Sequence, residues 1–199
     1  MIAPPSPREG GRGWRRALPQ VVSTALIIAG AAIGIPAAWM PAKAELAQQL
    51  LERNFEEGLA SGEAAKPWPW ADFGIMGKLS AERLGKSDIV LSGASGEAMA
   101  FGPAEFPTSL GKRVTLLSAH RDTHFAWMRD LKVGDRLTLE RIDGRAAYYR
   151  VTRLETVRWD AFSLSSQTPD DTLILATCFP FDANTAGPLR RVAHAVRID

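Results

Sequence analysis

The sequence predicts a mostly β domain, a small barrel or sandwich with short helices, carried behind one N-terminal transmembrane helix. Three observations predict it. Residues 17–42 contain no charged side chain, and residues 21–35 (VVSTALIIAGAAIGI) are almost wholly apolar. Beyond Gly77 the chain breaks into many short β-type runs with little helical periodicity. Two of those runs flank Asp143-Gly144, the dipeptide preferred in a tight two-residue hairpin turn. With 199 residues, one ordinary domain plus a small appendage is expected rather than two full domains.

Composition narrows the function classes. A charged fraction of 23% against 46% hydrophobic residues excludes wholesale disorder. The net charge is +2, of which Arg8, Arg12, Arg15, Arg16 and Glu9 place +3 in the first sixteen residues; the remainder carries 2 − 3 = −1. Such a domain lacks the basic surface of a nucleic-acid binder, so no nucleic-acid partner is expected. A single Cys excludes an intramolecular disulfide framework and a Cys-rich structural zinc site.

Residues 1–16 are rich in Pro, Gly and Arg and form a basic tail. Residues 17–42 supply the roughly twenty apolar positions that a helix needs to cross the hydrocarbon layer. The arginines precede this span, so the N-terminus is expected in the cytoplasm and everything after residue 44 beyond the inner membrane. Ala42-Lys43-Ala44 has the small-x-small form of a signal-peptidase site, but the length of the span favours an uncleaved signal-anchor. Residues 44–59 read as an amphipathic helix, and residues 61–70 as a linker ending in two Pro-Trp pairs whose indoles cover an apolar surface. The stalk and linker thus span 43–70, and the β domain 71–199.

Within that domain, residues 78–84 and 88–91 are short strand candidates, and 94–101 suit one or two helical turns. Residues 112–119 (KRVTLLSA) form a strong buried strand, followed by a loop and a short helix across 124–131. The hairpin arms are 136–142 and 145–157; in the second, Ala147, Tyr149, Val151 and Arg153 alternate with Tyr148, Arg150, Thr152 and Leu154. Residues 172–177 (TLILAT) form a nearly continuous apolar strand ending on Cys178, and 191–198 close the chain as a last strand.

The two strongest apolar strands run into chemically capable residues: one into SAHRDTH (118–124), the other into Thr177-Cys178-Phe179-Pro180. A thiol is a poor nucleophile until ionised, and a neighbouring imidazole can take its proton or stabilise the thiolate. Acyl transfer further needs a donor for the developing oxyanion; Arg190 and Arg191 qualify, because guanidinium stays charged and forks onto carbonyl oxygens. Adjacent strand residues point to opposite faces, so only one of the two can face the cysteine.

These segments resemble the sortases. Ile174-Leu175-Ala176-Thr177-Cys178 keeps the Leu-x-Thr-Cys spacing of that family's nucleophile strand, SAHRDTHF (118–125) is similar to its His segment, and GPLRRV (187–192) to the region supplying its essential Arg. PWPWADF, GASGEAMAFGP and residues 178–192 resemble the sortases of Gram-negative proteobacteria, class GN, so that the likeness covers roughly residues 45–199. It implies a sortase-like eight-stranded β-barrel and a membrane-anchored cysteine transpeptidase requiring no metal or organic cofactor. Its partners would be an exported protein with a C-terminal Leu-Pro-x-Thr-Gly-like sorting signal, and an amine acceptor.

Carried over, the resemblance makes Cys178 the nucleophile, His120 the catalytic imidazole and Arg190 the essential guanidinium. Thr177, Asp122 and Arg191 are candidates for substrate binding: Thr177 as either a strand residue or, as the motif favours, a polar neighbour of the thiolate, and Asp122 as either a loop-former or an orienter of His120. Ser118-Ala119 stands where Ala-Gly is common, and Arg191 where an aromatic or aliphatic residue is expected. His124 and His194 are expected to be structural or groove-lining, and Phe125, Trp127, Phe179 and Phe181 core or groove walls. Two rival readings remain. An L,D-transpeptidase would resemble Ser-x-Gly-Cys-x-Arg, but Pro180 occupies the Arg position. A non-catalytic anchored β-domain would keep Cys178 buried and inert.

Overall fold

The computed structural model describes residues 14–63, 66–111, 114–165, 167–183, 185 and 187–198. Most of the expected basic tail, including Arg8 and Arg12, lies outside the described residues. Helix α1 (Trp14–Ser61) runs as one element through the expected anchor and the expected stalk. Val21, Val22, Leu26, Ile27, Ile28 and Ile33 are exposed on it. Among the described residues, no helix is long and apolar enough to cross a membrane.

The chain divides into two compact units at Leu46/Ala47. The boundary falls inside the expected stalk because Ala47, Leu51 and Phe55, spaced at i, i+4, i+8, bury one helical face. Leu51 and Phe55 join a cluster with Phe73, Ile75, Ile89 and Leu91. Gln48 Nε2 donates to the Phe101 carbonyl at 2.8 Å, and Lys78 Nζ to Glu52 Oε2 at 2.9 Å. Of the two linker tryptophans, Trp68 packs edge-on against Phe73 and Phe101, while Trp70 is exposed.

Residues beyond this form a closed eight-stranded barrel. Its strands are β1 (Gly74–Ala81), β2 (Lys86–Ser92), β3 (Ala104–Phe106), β4 (Val114–Ser118), β5 (Arg136–Arg141), β6 (Ala146–Arg158), β7 (Thr172–Phe179) and β8 (Leu189–Ile198). The order around the barrel is β1-β2-β3-β4-β7-β8-β6-β5. A short helix, α2 (Gly96–Phe101), precedes β3; Ser95 caps it, its hydroxyl accepting from Ala98 N at 3.0 Å. A 3-10 turn at Ala126–Arg129 follows the β4 loop.

Leu79, Val90, Leu117, Leu137, Leu139, Leu173, Leu175, Ala193 and Ala195 fill the barrel core, with Phe125 and Met128 packed into it. The apolar run of β7 has its cause here. Leu173 and Leu175 join this core, whereas Ile174 packs with Val114 and Val192 in a second cluster that includes Phe162 and Leu164. A strand covered on both faces has no need of polar alternation.

Several expectations shift. The first strand begins at Gly74 and ends at Ala81, because residues 82–84 turn as a 3-10 segment. Gly77 lies where a Cβ would meet the Glu140 carbonyl at 2.3 Å, so this glycine permits the close approach of β1 to β5 and does not break the strand. Asp143-Gly144 does sit at the hairpin tip, but Arg141 N donates to Arg145 O and Gly144 N to Arg141 O, both at 2.9 Å. The loop therefore holds residues 142–144, with Gly144 at φ +77°, rather than the two-residue form that needs two positive φ angles.

Candidate active site

β7 lies between β4 and β8, and its register places the candidate residues. On one side β4 runs parallel to it, with Leu116 opposite Ile174 and Ser118 opposite Ala176. Ala119 N continues the ladder by donating to Ala176 O at 3.3 Å, and Thr177 Oγ1 donates to Ala119 O at 2.7 Å. His120 therefore stands two positions beyond Ser118, as Cys178 stands two beyond Ala176. On the other side β8 runs antiparallel, with Cys178 directly opposite Arg190 and Thr177 opposite Arg191. Neighbouring strands lie about 4.8 Å apart, so Cys178 and Arg190 are cross-strand neighbours, and His120 opens the loop just past the end of the β4–β7 pairing.

Alternation then settles which arginine shares the cysteine's face. Ile174, Ala176 and Cys178 are on one face of β7, with Arg190 and Val192 opposite Cys178 and Ala176. A cleft of about 240 Å³ opens there, lined by Leu116, Ser118, Ala176, Arg190 and Val192 from the strands and by Trp159 and Phe162 from the β6–β7 connection. It is an apolar floor with a guanidinium at its edge. Arg190 Nη1 donates to the Gly187 and Leu189 carbonyls at 2.8 Å each, which anchors one end of the fork. Arg191 belongs to the face of Thr177, and its Nη1 lies 3.5 Å from Thr156 Oγ1.

Cys178 is free and half-buried, and it sits within β7, one residue before the strand's end, rather than just beyond it. His120 is exposed at the start of the loop, and its carbonyl accepts from Phe125 N at 3.0 Å. Thr177 is only 1% exposed. Its hydroxyl is bonded to the Ala119 carbonyl, so it joins β7 to the residue before His120 and is not a surface group beside the thiol. Asp122 is 68% exposed, and its Oδ1 accepts from Arg121 Nε at 3.3 Å. Of the two roles weighed for it, the structure shows the local loop contact.

The other histidines are held by carboxylates. His124 Nδ1 donates to Asp88 Oδ1 at 2.9 Å, and Trp127 Nε1 to Asp88 Oδ2 at 3.0 Å. His194 Nε2 lies 2.6 Å from Glu155 Oε1. Phe125 and Trp127 are buried, whereas Phe179 and Phe181 are half-buried and meet edge-on. Among the described residues, no group of three or more His, Cys, Asp or Glu side chains could hold a metal ion.

Sequence reasoning missed Arg121, which is buried and bonded to the β7–β8 connection, and the cleft-lining pair Trp159 and Phe162. The position of Arg121 directly after His120 was the one available signal. Its partners lie about sixty positions away, and no local pattern reports such contacts.

A half-buried thiol paired across two strands of a closed barrel with an arginine that lines an apolar cleft, with a histidine in the loop after the neighbouring strand, suits cysteine acyl-transfer chemistry. Comparison with known proteins gives the family. A model of the sortase domain matches residues 79–198. The chain belongs to the sortase family and is a cysteine transpeptidase. Solved structures agree in fold. The pilus-related sortase C of Group B Streptococcus is 25% identical, with 63% of this chain and 68% of that one covered and a TM-score of 0.53. Sortase C of Clostridium perfringens SM101 is 19% identical over 78% and 89% of the two chains, with a TM-score of 0.55. Sortase C of Streptococcus pneumoniae is 21% identical over 78% and 93%, with a TM-score of 0.56. No curated protein matches the chain.

Proposed function

We propose that this sortase is anchored in the inner membrane and cleaves a C-terminal sorting signal of an exported protein, transferring the new C-terminus to an amine. The observation that supports the reading most is the pairing of Cys178 with Arg190 across β7 and β8, with His120 in the loop that follows the β4 residue paired with Ala176. Cys178 Sγ attacks the signal's scissile carbonyl, and the Arg190 guanidinium donates to the oxygen as negative charge develops on it. As the tetrahedral intermediate collapses, the C–N bond breaks, and His120 gives its proton to the leaving amine. The product is a thioester on Cys178. An acceptor amine then attacks this thioester, His120 takes the proton back, and the thiolate leaves with a new amide formed.

The signal resembles Leu-Pro-x-Thr-Gly, and the apolar cleft under Trp159 and Phe162 suits its aliphatic residue. The segments PWPWADF and GASGEAMAFGP support the class of Gram-negative proteobacterial sortases. Anchoring is supported by the uncharged stretch 17–42, by the arginines before it, and by the exposed Val21, Leu26, Ile27 and Ile33 on α1. In this arrangement the N-terminus is cytoplasmic and the barrel periplasmic.

Intact-mass measurement of the full chain in detergent, incubated with a panel of sorting-signal peptides, tests the chemistry. A mass gain equal to the N-terminal peptide portion, absent in Cys178→Ala, is expected. No adduct with any peptide, together with a folded-state Cys178 that resists thiol reagents, would overturn the reading. Carbonate-resistant retention in membranes, with the barrel open to protease in spheroplasts, is expected of the anchor; release by carbonate would contradict it.

A further inference from the structure

We propose that Arg121 is a positioning residue, whose buried guanidinium locks the β7–β8 connection against the loop bearing His120 and so fixes the reach of Arg190. The inference rests on the assignment of His120, Cys178 and Arg190 as the reacting groups.

Arg121 is 6% exposed. Its Nη1 donates to the Pro180 carbonyl at 2.9 Å, and its Nη2 to the Thr185 carbonyl at 2.9 Å and to the Ala183 carbonyl. The remaining contact, Nε to Asp122 at 3.3 Å, is to a carboxylate that is itself largely in solvent. A charge taken out of water is costly unless its donors are met. Three carbonyls of one connection meet them here, so the burial of Arg121 and the shape of that connection depend on each other.

Among its described residues the connection has few backbone bonds of its own. Among the described residues of 180–188, the backbone bonds are Ala183 N to Pro180 O at 3.4 Å and Trp159 N to Pro188 O at 2.8 Å. Arg129 also reaches it, pairing with Asp182 at 3.0 Å, but both side chains are exposed and such pairs contribute little. Among the described residues, Arg121 supplies a buried side-chain tie to it.

That tie leads to the reacting groups from both ends. His120 precedes Arg121 directly in the chain. At the other end, the Arg190 fork is anchored on the Gly187 and Leu189 carbonyls, where the same connection enters β8. A shift of residues 180–188 therefore carries the Arg190 guanidinium with it, although the backbone of Arg190 is held in the β7–β8 ladder. A misplacement of about 1 Å can cost on the order of 100-fold in rate. Lysine cannot replace Arg121, because a point charge does not reproduce a planar fork spread over three carbonyls.

The test compares the full-length wild type with Arg121→Lys and Arg121→Gln in detergent. The readouts are amide exchange across 179–190, Cys178 alkylation by iodoacetamide as a function of pH, and kcat and KM on a peptide that acylates the enzyme. In Arg121→Lys, exchange across 179–190 is expected to quicken at least tenfold while β1 and β5 keep their protection. The rate kcat should fall about ten- to a hundredfold with a smaller change in KM, and the alkylation profile should move along the pH axis. A folded Arg121→Lys with wild-type protection across 179–190 and kcat within twofold would overturn the proposal. Failure of both variants to fold would overturn it too, since Arg121 would then hold the barrel rather than the site. A wild type that alkylates but forms no peptide adduct overturns the transfer reaction instead; exchange and alkylation still decide the role of Arg121.

Discussion

His120 and His124 stand four positions apart in one loop and are held in opposite ways. The ring of His124 is tied to Asp88, which also receives the Trp127 indole, and both members of the His–Asp pair are mostly buried. His120 is exposed, and no hydrogen bond among the described residues fixes its ring. The arginines divide the same way. Arg121 has both terminal nitrogens bonded to carbonyls of one connection, whereas Arg190 has one nitrogen anchored and lines the cleft. The lesson is that residue type alone does not separate chemistry from scaffolding here. What separates them is whether the fold has already occupied the side chain's hydrogen-bonding groups.

The largest expected effects break this comparison on the catalytic side. Cys178→Ala should abolish thioester formation, and His120→Ala should slow it by about 10²–10⁴, the usual contribution of a positioned acid–base group. His124→Gln should instead leave acylation within a few-fold of wild type while lowering the melting temperature. Single-turnover acylation by quenched mass spectrometry separates the two, and equal losses at both histidines would dissolve the distinction.

Next in size is an ion pair between the turn after β1 and the residue before β5. Arg83 Nε and Nη2 donate to the two Asp135 oxygens at 2.5 and 2.7 Å, and Lys132 N adds a third bond at 2.8 Å. The Arg83 hydrogen bond holds the Asp135 carboxyl below its ordinary value, against the opposing effect of burial. A depressed carboxylate contributes stability above its unfolded value, about 3.9, and loses it as pH falls through the lower folded value. Asp135→Asn should therefore cost roughly 1.5–3 kcal/mol at pH 7, and the gap from wild type should narrow as pH falls below the unfolded value. Urea unfolding at pH 7 and in acid checks the sign; a gap that widens in acid would contradict it.

The smallest effect sharpens the comparison within β7. Thr177→Val removes the hydroxyl that bonds the Ala119 carbonyl and should cost on the order of 1–2 kcal/mol. Thr177→Ser should cost less than Thr177→Val, because it keeps that bond. If Thr177 touched the signal, KM would move more than stability, and peptide kinetics beside thermal melts would show it.

How far the sequence foretold this follows the same division. Strands β4 and β7, the hairpin tip and the one-arginine-per-face constraint were legible because they depend on local periodicity and turn chemistry. β3 was not, since Ala104–Phe106 is too short for any period to show. The start of β1 was hidden by Gly77, which reads as a break until the approach of β5 is known. The choice between Arg190 and Arg191 needed the pairing of β8 with β7. The burial of Arg121 needed contacts from the far end of the chain.

The central claim is that register, more than residue type, assembles the site, and Arg190 against Arg191 tests it most directly. Single-turnover acylation of Cys178 should fall by about 10²–10³ in Arg190→Ala, the size expected for loss of an oxyanion donor. Arg191→Ala, on the opposite face of β8 from Cys178, should stay within about threefold, because its guanidinium points away from the thiol's face. Equal losses, or a larger loss at Arg191, would contradict the assignment of Arg190 as the guanidinium that shares the face of Cys178.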